Sequence, residues 1–530
     1  MANKEMKHLM KGAIVLSIAG FIAKFLSAIY RVPFQNMVGD VGFYVYQQVY
    51  PIYGIGMTFA LTGLPVFMSK LVAETKDGPH LKRMLRNAFF IVSVFSIVIT
   101  IGLYALSDYI ALQMGDAQLS SLIKAVSPMF LCMPLLVIGR GYFQGRYEMR
   151  PTAVSQVVEQ IVRVAVILIA AAFFLKGGMT YYQMGSNAMS SAWIAGVFAS
   201  LILLYYYVKN KQTIQLDLNS KVLNTEKEGI SMSELFKRFA TEGIAICLFG
   251  AMLVLLQLVD SFTLYNGLLD GGASSIAAQI AKGVYDRGQP LVQLGMVVGT
   301  GFASSLIPML TRYFVVKKQK EFIRTSASLL RITITFSVAA TVGLITLLPY
   351  VNRLLFSTNS GAIVLAIYVL AIILASLIVG CNTILQSQDR HKPALLSLIV
   401  CLGSKVVLNM QLVPLYGTIG ASISTVTSLL LMLIILWKCL PKEVRLSVSQ
   451  KGFLWKLFLC CVAMVIIVYA LSFGLVSSPI GGMGRMGDFI IAIGCVLAGA
   501  GAFLWLMIRL KLFTLKEWIS LPFGKKILRK

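Results

Sequence analysis

Charged residues make up only 13% of this 530-residue chain, and just 21 of them are acidic. Soluble domains are about a quarter charged and about half apolar, so water is excluded as the main solvent and no large soluble domain fits. Histidine occurs three times, as His8, His80 and His391, far apart in the chain. That scarcity leaves nothing from which to build a zinc centre or a histidine base. The eight cysteines, Cys132, Cys247, Cys381, Cys401, Cys439, Cys460, Cys461 and Cys495, show no paired metal-ligand spacing. They read as small packing residues. Gly271-Gly272 and Gly481-Gly482 lack the lysine and the strand-turn-helix context of a phosphate loop, and read as external turns. No cofactor, metal site or covalent chemistry is therefore expected.

What the chain has is apolar length. The hydrophobic fraction is 58% and the mean hydropathy +0.81. A helix needs about 20 apolar residues to cross the hydrocarbon core. Stretches of that kind lie near 11–37, 42–69, 87–106, 119–139, 152–175, 182–208, 239–265, 288–310, 327–350, 361–386, 393–413, 418–437, 453–474 and 488–508. The first is too long for the apolar region of a cleavable signal peptide and reads as a retained span. The predicted fold is all-α, a polytopic membrane protein of about fourteen transmembrane helices.

A formal charge of +26 invites a nucleic-acid reading, but the positions of the charges argue otherwise. Lys and Arg concentrate at both termini and in the even-numbered loops, as in Lys82, Arg83 and Arg86, in Lys317, Lys318 and Lys320, and in Lys525, Lys526, Arg529 and Lys530. The other loops carry Asp108, Asp116 and Asp270 with few basic residues. Cytoplasmic loops collect Lys and Arg, so both termini are expected in the cytoplasm of a cell-membrane protein. No separate basic domain remains to bind nucleic acid.

An internal repeat organises the spans. A shift of 242 residues maps Gln47 to Gln289, Ser69-Lys70 to Thr311-Arg312, Gln144 to Gln386, Arg150 to Lys392, Pro151 to Pro393, Ser155 to Ser397 and Arg163 to Lys405. One offset serving so many positions predicts two six-helix halves of like orientation, related by an axis along the membrane normal. The expected divisions are an N-terminal lobe at 1–208, a charged cytoplasmic linker at 209–237 with Asn219, Ser220 and Asn224, a C-terminal lobe at 238–440, and helices thirteen and fourteen with a basic tail at 441–530. Two parallel halves suit alternating access, so transport is the expected class of function.

Charge inside a span is costly and usually faces a cavity or a partner. Six such residues stand out: Lys24 and Arg31 in the first span, Glu159 and Arg163 in the fifth, Asp260 in the seventh and Lys405 in the eleventh. Four are cationic, which points to an anionic headgroup, with arginine suited to gripping phosphate through its planar fork. Blander readings stand beside these. Glu159 and Arg163, four apart, suit an internal ion pair, and Arg31 could snorkel to the interface. Lys70 and Arg140 read as topology anchors at helix ends, and Tyr44, Tyr46, Tyr50 and Tyr53 as an interfacial aromatic belt. Pro65, Pro134 and Pro308 are expected kinks.

The stretch Arg140-Gly141-Tyr142-Phe143-Gln144-Gly145, with Glu159-Gln160-Ile161-Val162-Arg163 after it and Gly63-Leu64-Pro65 before it, resembles the polysaccharide-biosynthesis branch of the multidrug/oligosaccharidyl-lipid/polysaccharide exporter superfamily. It is similar to its stage V sporulation protein B group and, more distantly, to the MurJ lipid II flippases. The resemblance implies a flippase that carries an undecaprenyl-linked glycan precursor, such as lipid II, to the outer leaflet, in a setting of membrane lipids and cell-wall synthesis enzymes. It also implies that Lys24 and Arg31 line a central cavity, and that helices thirteen and fourteen form a lipid-tail groove. In MurJ-like relatives an acidic residue of the seventh span and polar residues of spans eleven and twelve are associated with sodium; by similarity these are Asp260, Lys405, Asn409 and Thr425. Lys405 stands where a neutral ligand would sit, so an Asp260–Lys405 ion pair in place of a metal is the expectation. A drug or metabolite exporter of the same superfamily, or a non-transporting scaffold for wall synthesis, are the alternatives.

The charge pattern makes a topological prediction. A cysteine introduced into the 209–237 linker should react with a membrane-impermeant maleimide in inverted vesicles and stay unlabelled in intact cells. Labelling of intact cells would reverse the assignment.

Overall fold

A computed structural model describes residues 2–75, 78–212, 214–215, 230–448, 452–514 and 517. These residues are helical with no strand among them. Among the described residues, eleven stretches are long and apolar enough to cross a bilayer. Two of the eleven, Ile18–Glu74 and Lys392–Cys439 with 57 and 48 residues, are too long for one crossing. At about 1.5 Å per residue the shorter would reach roughly 70 Å, more than twice the hydrocarbon thickness. Each is broken at a glycine with positive φ, Gly39 at 69° and Gly417 at 58°, where a side chain would be strained. Together with the 28-residue helix Gly288–Val315, the helices are compatible with fourteen spans. Asn219, Ser220, Asn224 and most of the expected linker lie outside the described residues.

The chain packs as two compact units, Met1–Gly283 and Val284–Lys530. The 242-residue repeat reappears as local geometry within each. Tyr147 and Asp389, at the same repeat position, both adopt positive φ, 62° and 58°. Around them the Tyr147 amide donates to the Gln144 carbonyl and Glu148 to Phe143, just as Asp389 donates to Gln386 and Arg390 to Leu385. Pro151 and Pro393 then sit in the first turns of the helices Met149–Leu175 and Lys392–Cys439, where a missing N–H costs nothing.

In the first unit the second span is interrupted by a π-helical turn, Thr58–Gly63, before it continues as Leu64–Glu74. Pro65 explains the turn. It has no N–H to continue the ladder, and Leu64 donates one residue further back than usual, to the Phe59 carbonyl. Pro134 likewise opens the helix Met133–Gly145 directly after a 3-10 stretch, Ser127–Cys132. The side chain of Pro308 lies outside those described. At one end the Leu64–Glu74 helix is tied to the Phe239–Gly243 turn by Lys70–Glu242 at 2.8 Å and to the end of the helix Met232–Arg238 by Arg238–Glu74 at 2.9 Å. Lys70 is thus a partner in an ion network as well as a helix-end cation. Further along the span, Gln48 donates to the carbonyls of Ser261 and Met114 at 2.7 and 3.3 Å.

In the second unit the helices Phe453–Val476 and Arg485–Arg509 pack on each other and on Gln319–Phe356 through Leu347, Leu457, Met464, Ile491 and Phe503. Ion pairs fasten the long helix at two points, Arg353–Asp488 at 2.9 Å near its C-terminal end and the buried Arg331–Glu517 at 3.0 Å about three turns in from its start. Between these points Ile334, Val338 and Val342 face Leu454, Phe458 and Ile466 across an open apolar groove of about 490 Å³.

Candidate functional site

Tyr46, Tyr50 and Tyr53 recur at helical spacing and so share one face of the helix Arg31–Met57. All three are buried, as is Tyr44. They are not an interfacial belt. Their rings wall two guanidinium groups. Arg31 lies 4.3 Å from the centre of the Tyr50 ring, and Arg163 lies 4.3 Å from Tyr53, 4.9 Å from Tyr30 and 5.9 Å from Tyr50. The Tyr30 and Tyr46 hydroxyls join at 3.1 Å, which closes the wall. Tyr44 belongs to a separate cluster, where its hydroxyl and that of Tyr182 donate to Asp116 at 3.3 and 2.7 Å.

The electrostatics of this cage are unbalanced. Arg31 is 0% and Arg163 1% exposed, so Arg31 does not snorkel to an interface. Arg163 donates to the Tyr53 hydroxyl at 2.6 Å and to Gln160 at 3.4 Å, but its Nε and Nη2 have no hydrogen-bond partner. Arg31 sits close to the Tyr30 and Tyr50 hydroxyls, yet none of its three nitrogens makes a hydrogen bond of sound geometry. Burying an ion costs several kcal/mol or more, and a desolvated cation–π contact returns about 2 kcal/mol. The aromatic wall therefore offsets only part of the cost, and an anion would supply the rest.

Glu159 does not supply it. The Glu159–Arg163 ion pair that their spacing suggests is absent, because Glu159 is taken at 2.6 Å by Arg140, itself fully buried. Arg140 is no helix-end anchor: it also donates to the Ser155 hydroxyl at 3.0 Å and to the Ala60 carbonyl at 3.1 Å. Sequence reasoning missed this pairing, although the repeat held a signal for it. The positions equivalent to Arg140 and Glu159 are Asn382 and Cys401, so both charges vanish together in the second half. Lys24 lies on the helix Ala2–Ile29, two turns before Arg31, and is exposed.

In the second unit Lys405 is fully buried and donates to the Ala421 carbonyl at 3.1 Å and the Thr425 hydroxyl at 2.5 Å. Thr425 also meets the Tyr285 hydroxyl at 3.1 Å, and Asn409, one turn on from Lys405, is buried as well. Spans eleven and twelve thus bring Lys405 and Thr425 together. Asp260 is buried in the first unit, one turn beyond Gln257.

A family model described as Polysaccharide biosynthesis protein matches residues 9–314. The chain belongs to this family. It is 36% identical over 98% of its length to the uncharacterized membrane protein YabM of Bacillus subtilis, of which it covers 95%. It is also similar to the lipid II flippase MurJ of that organism, at 27% over 79% of each chain, and to its stage V sporulation protein B, at 24% over 98% of this chain and 99% of the relative. Among solved structures, a lipid II flippase MurJ in an inward closed conformation superposes with a TM-score of 0.68 at 15% identity, covering 94% of this chain and 99% of that one. This family member is thus a multi-pass membrane protein with the fold of MurJ-like transporters.

An unbalanced buried charge makes a testable demand on stability. Arg31→Met, which removes the charge and keeps the bulk, should raise the stability of the purified, ligand-free protein by about 1–3 kcal/mol, read as a higher midpoint of thermal unfolding. A lower midpoint would mean that the tyrosines compensate the guanidinium in full.

Proposed function

We propose that this protein is an alternating-access flippase that moves an undecaprenyl-linked, pyrophosphate-bearing glycan or peptidoglycan precursor, such as lipid II, from the cytoplasmic to the outer leaflet. The observation that carries the reading is the tyrosine-walled pair of guanidinium groups with no carboxylate of their own. Two arginine forks near one another match the oxygens of a diphosphate, and Lys24 adds a cation on the approach. The apolar groove between the helix Gln319–Phe356 and helix thirteen suits a polyprenyl tail, which must stay in a lipid-like medium while the headgroup crosses. Similarity to a lipid II flippase and membership of a polysaccharide biosynthesis family support the same substrate class. The six-helix lobes at 1–208 and 238–440, the cytoplasmic termini and a working association with wall-synthesis enzymes belong to this reading.

Liposome flipping tests it. In proteoliposomes with fluorescent lipid II, the wild-type protein should move label between leaflets. Lys24→Ala combined with Arg31→Ala should abolish movement while protein level and membrane insertion stay intact. Full flipping by the double variant would overturn the cavity assignment. A drug exporter would instead move cationic dyes, and a scaffold would move neither.

We further propose that Asp260 and Lys405 act as an electrostatic pair that takes the place of a sodium site. A single deletion strands a charge in low dielectric, so Asp260→Asn or Lys405→Met alone should impair flipping more than the two together. Flipping driven by a sodium gradient, or a double variant worse than either single one, would refute the pairing.

A further inference from the structure

Glu159 precedes Arg163 by four residues on one helix, the spacing and order that favour an ion pair within a helix. It lies near enough to act electrostatically on Tyr53, the residue to which Arg163 donates. Its carboxylate nonetheless points to Arg140, which is held in place by three neighbours: Glu159 at 2.6 Å, the Ser155 hydroxyl at 3.0 Å and the Ala60 carbonyl at 3.1 Å. These contacts come from the turn of the second span and from the fifth span, so the Arg140 guanidinium has a fixed place and a fixed direction.

We propose that Arg140 is a positioning residue that sequesters Glu159 and so keeps the Arg31–Arg163 cage cationic for an anionic diphosphate. With Glu159 on Arg140, the cage holds two positive charges and free guanidinium N–H groups. With Glu159 on Arg163, one charge would be cancelled and the donors of that guanidinium occupied. Arg140 touches no substrate in this scheme; it acts through the carboxylate that it removes. The second half of the repeat shows the pair to be separable from the cation it protects. There Asn382 and Cys401 replace both members, and Lys405, the counterpart of Arg163, makes its bonds to the Thr425 hydroxyl and a backbone carbonyl. The inference rests on the reading of the cage as a diphosphate site.

The test uses the full-length protein in detergent, with inorganic pyrophosphate as the probe in calorimetry. Arg140→Gln should weaken pyrophosphate binding by about tenfold or more, because a carboxylate then occupies the site. Arg140→Gln with Glu159→Gln should return it to within about threefold of wild type, since no carboxylate is left to compete. A double variant as weak as Arg140→Gln would show that Arg140 is only a packing element and would overturn the proposal. Should Arg140→Gln fail to fold, Arg140→Lys decides: it keeps the charge facing Glu159 but not the other two bonds, so near-wild-type binding is expected and a loss of about tenfold would overturn the proposal. A cryo-electron microscopy structure of Arg140→Gln gives a readout that needs no ligand. Glu159 should have turned onto Arg163, and a carboxylate left in its old place sinks the idea. Arg163→Gln probes the underlying reading separately. If it binds pyrophosphate as wild type does, the cage is not the diphosphate site, while the position of Glu159 in the Arg140→Gln structure still decides the pairing.

Discussion

The first unit is organised around an ion pair in one place and the lack of one in another. Arg140 and Glu159 neutralise each other at 2.6 Å in the protein interior, and this leaves Arg163 to be stabilised by rings and a phenolic hydroxyl. Aromatic faces are suited to the task because they attract a cation without forming a bond that a phosphate must break. A carboxylate in the same position would hold the arginine more firmly and would also compete with any anionic ligand. On the proposed reading, the tyrosine wall gives up stability in the empty state and keeps the cage open to a charged headgroup.

The two halves resolve the same problem differently. Arg163 and Lys405 are repeat equivalents, and both are buried cations. Around Arg163 stand tyrosines; around Lys405 stand the Thr425 hydroxyl and the Ala421 carbonyl. The repeat positions matching Tyr46, Tyr50 and Tyr53 are Gly288, Val292 and Gly295, so the aromatic wall exists in one half only. At equivalent positions of the offset, one cation is thus a candidate ligand site and the other an internally bonded group. The C-terminal helix pair, expected to lie outside the repeat, packs on the helix Gln319–Phe356, and its first helix lines one side of the apolar groove.

Much of this was legible in the sequence because the bilayer imposes a strict length rule. The spans and their order follow from hydropathy and the expected repeat from one offset, and the turns at Tyr147 and Asp389 share one backbone geometry. Arg31 and Arg163 were recognisable as intramembrane charges for the same reason. The rest depends on which helix faces which. Tyr46, Tyr50 and Tyr53 have a spacing that fits a lipid-facing belt as well as a cage, and only packing separates the two. Arg140 lies near a helix end in the chain, which favours an anchor, yet the third dimension places Glu159 beside it. A groove at helices thirteen and fourteen was implied by the family resemblance alone; that its walls are the helices Gln319–Phe356 and Phe453–Val476 has no residue pattern to show it, because the lining is as apolar as any lipid-facing surface.

The π-helical turn at Thr58–Gly63 leaves the Ala60 carbonyl free of the Leu64 amide, which reaches back to Phe59. Pro65 has no amide to offer, and Arg140 fills the Ala60 oxygen instead. In α-helical register the Leu64 amide would bond to that oxygen, so the wider turn presents a backbone acceptor to a side chain of another helix. One imino acid in the second span thereby provides a seat for a charge carried by the fourth.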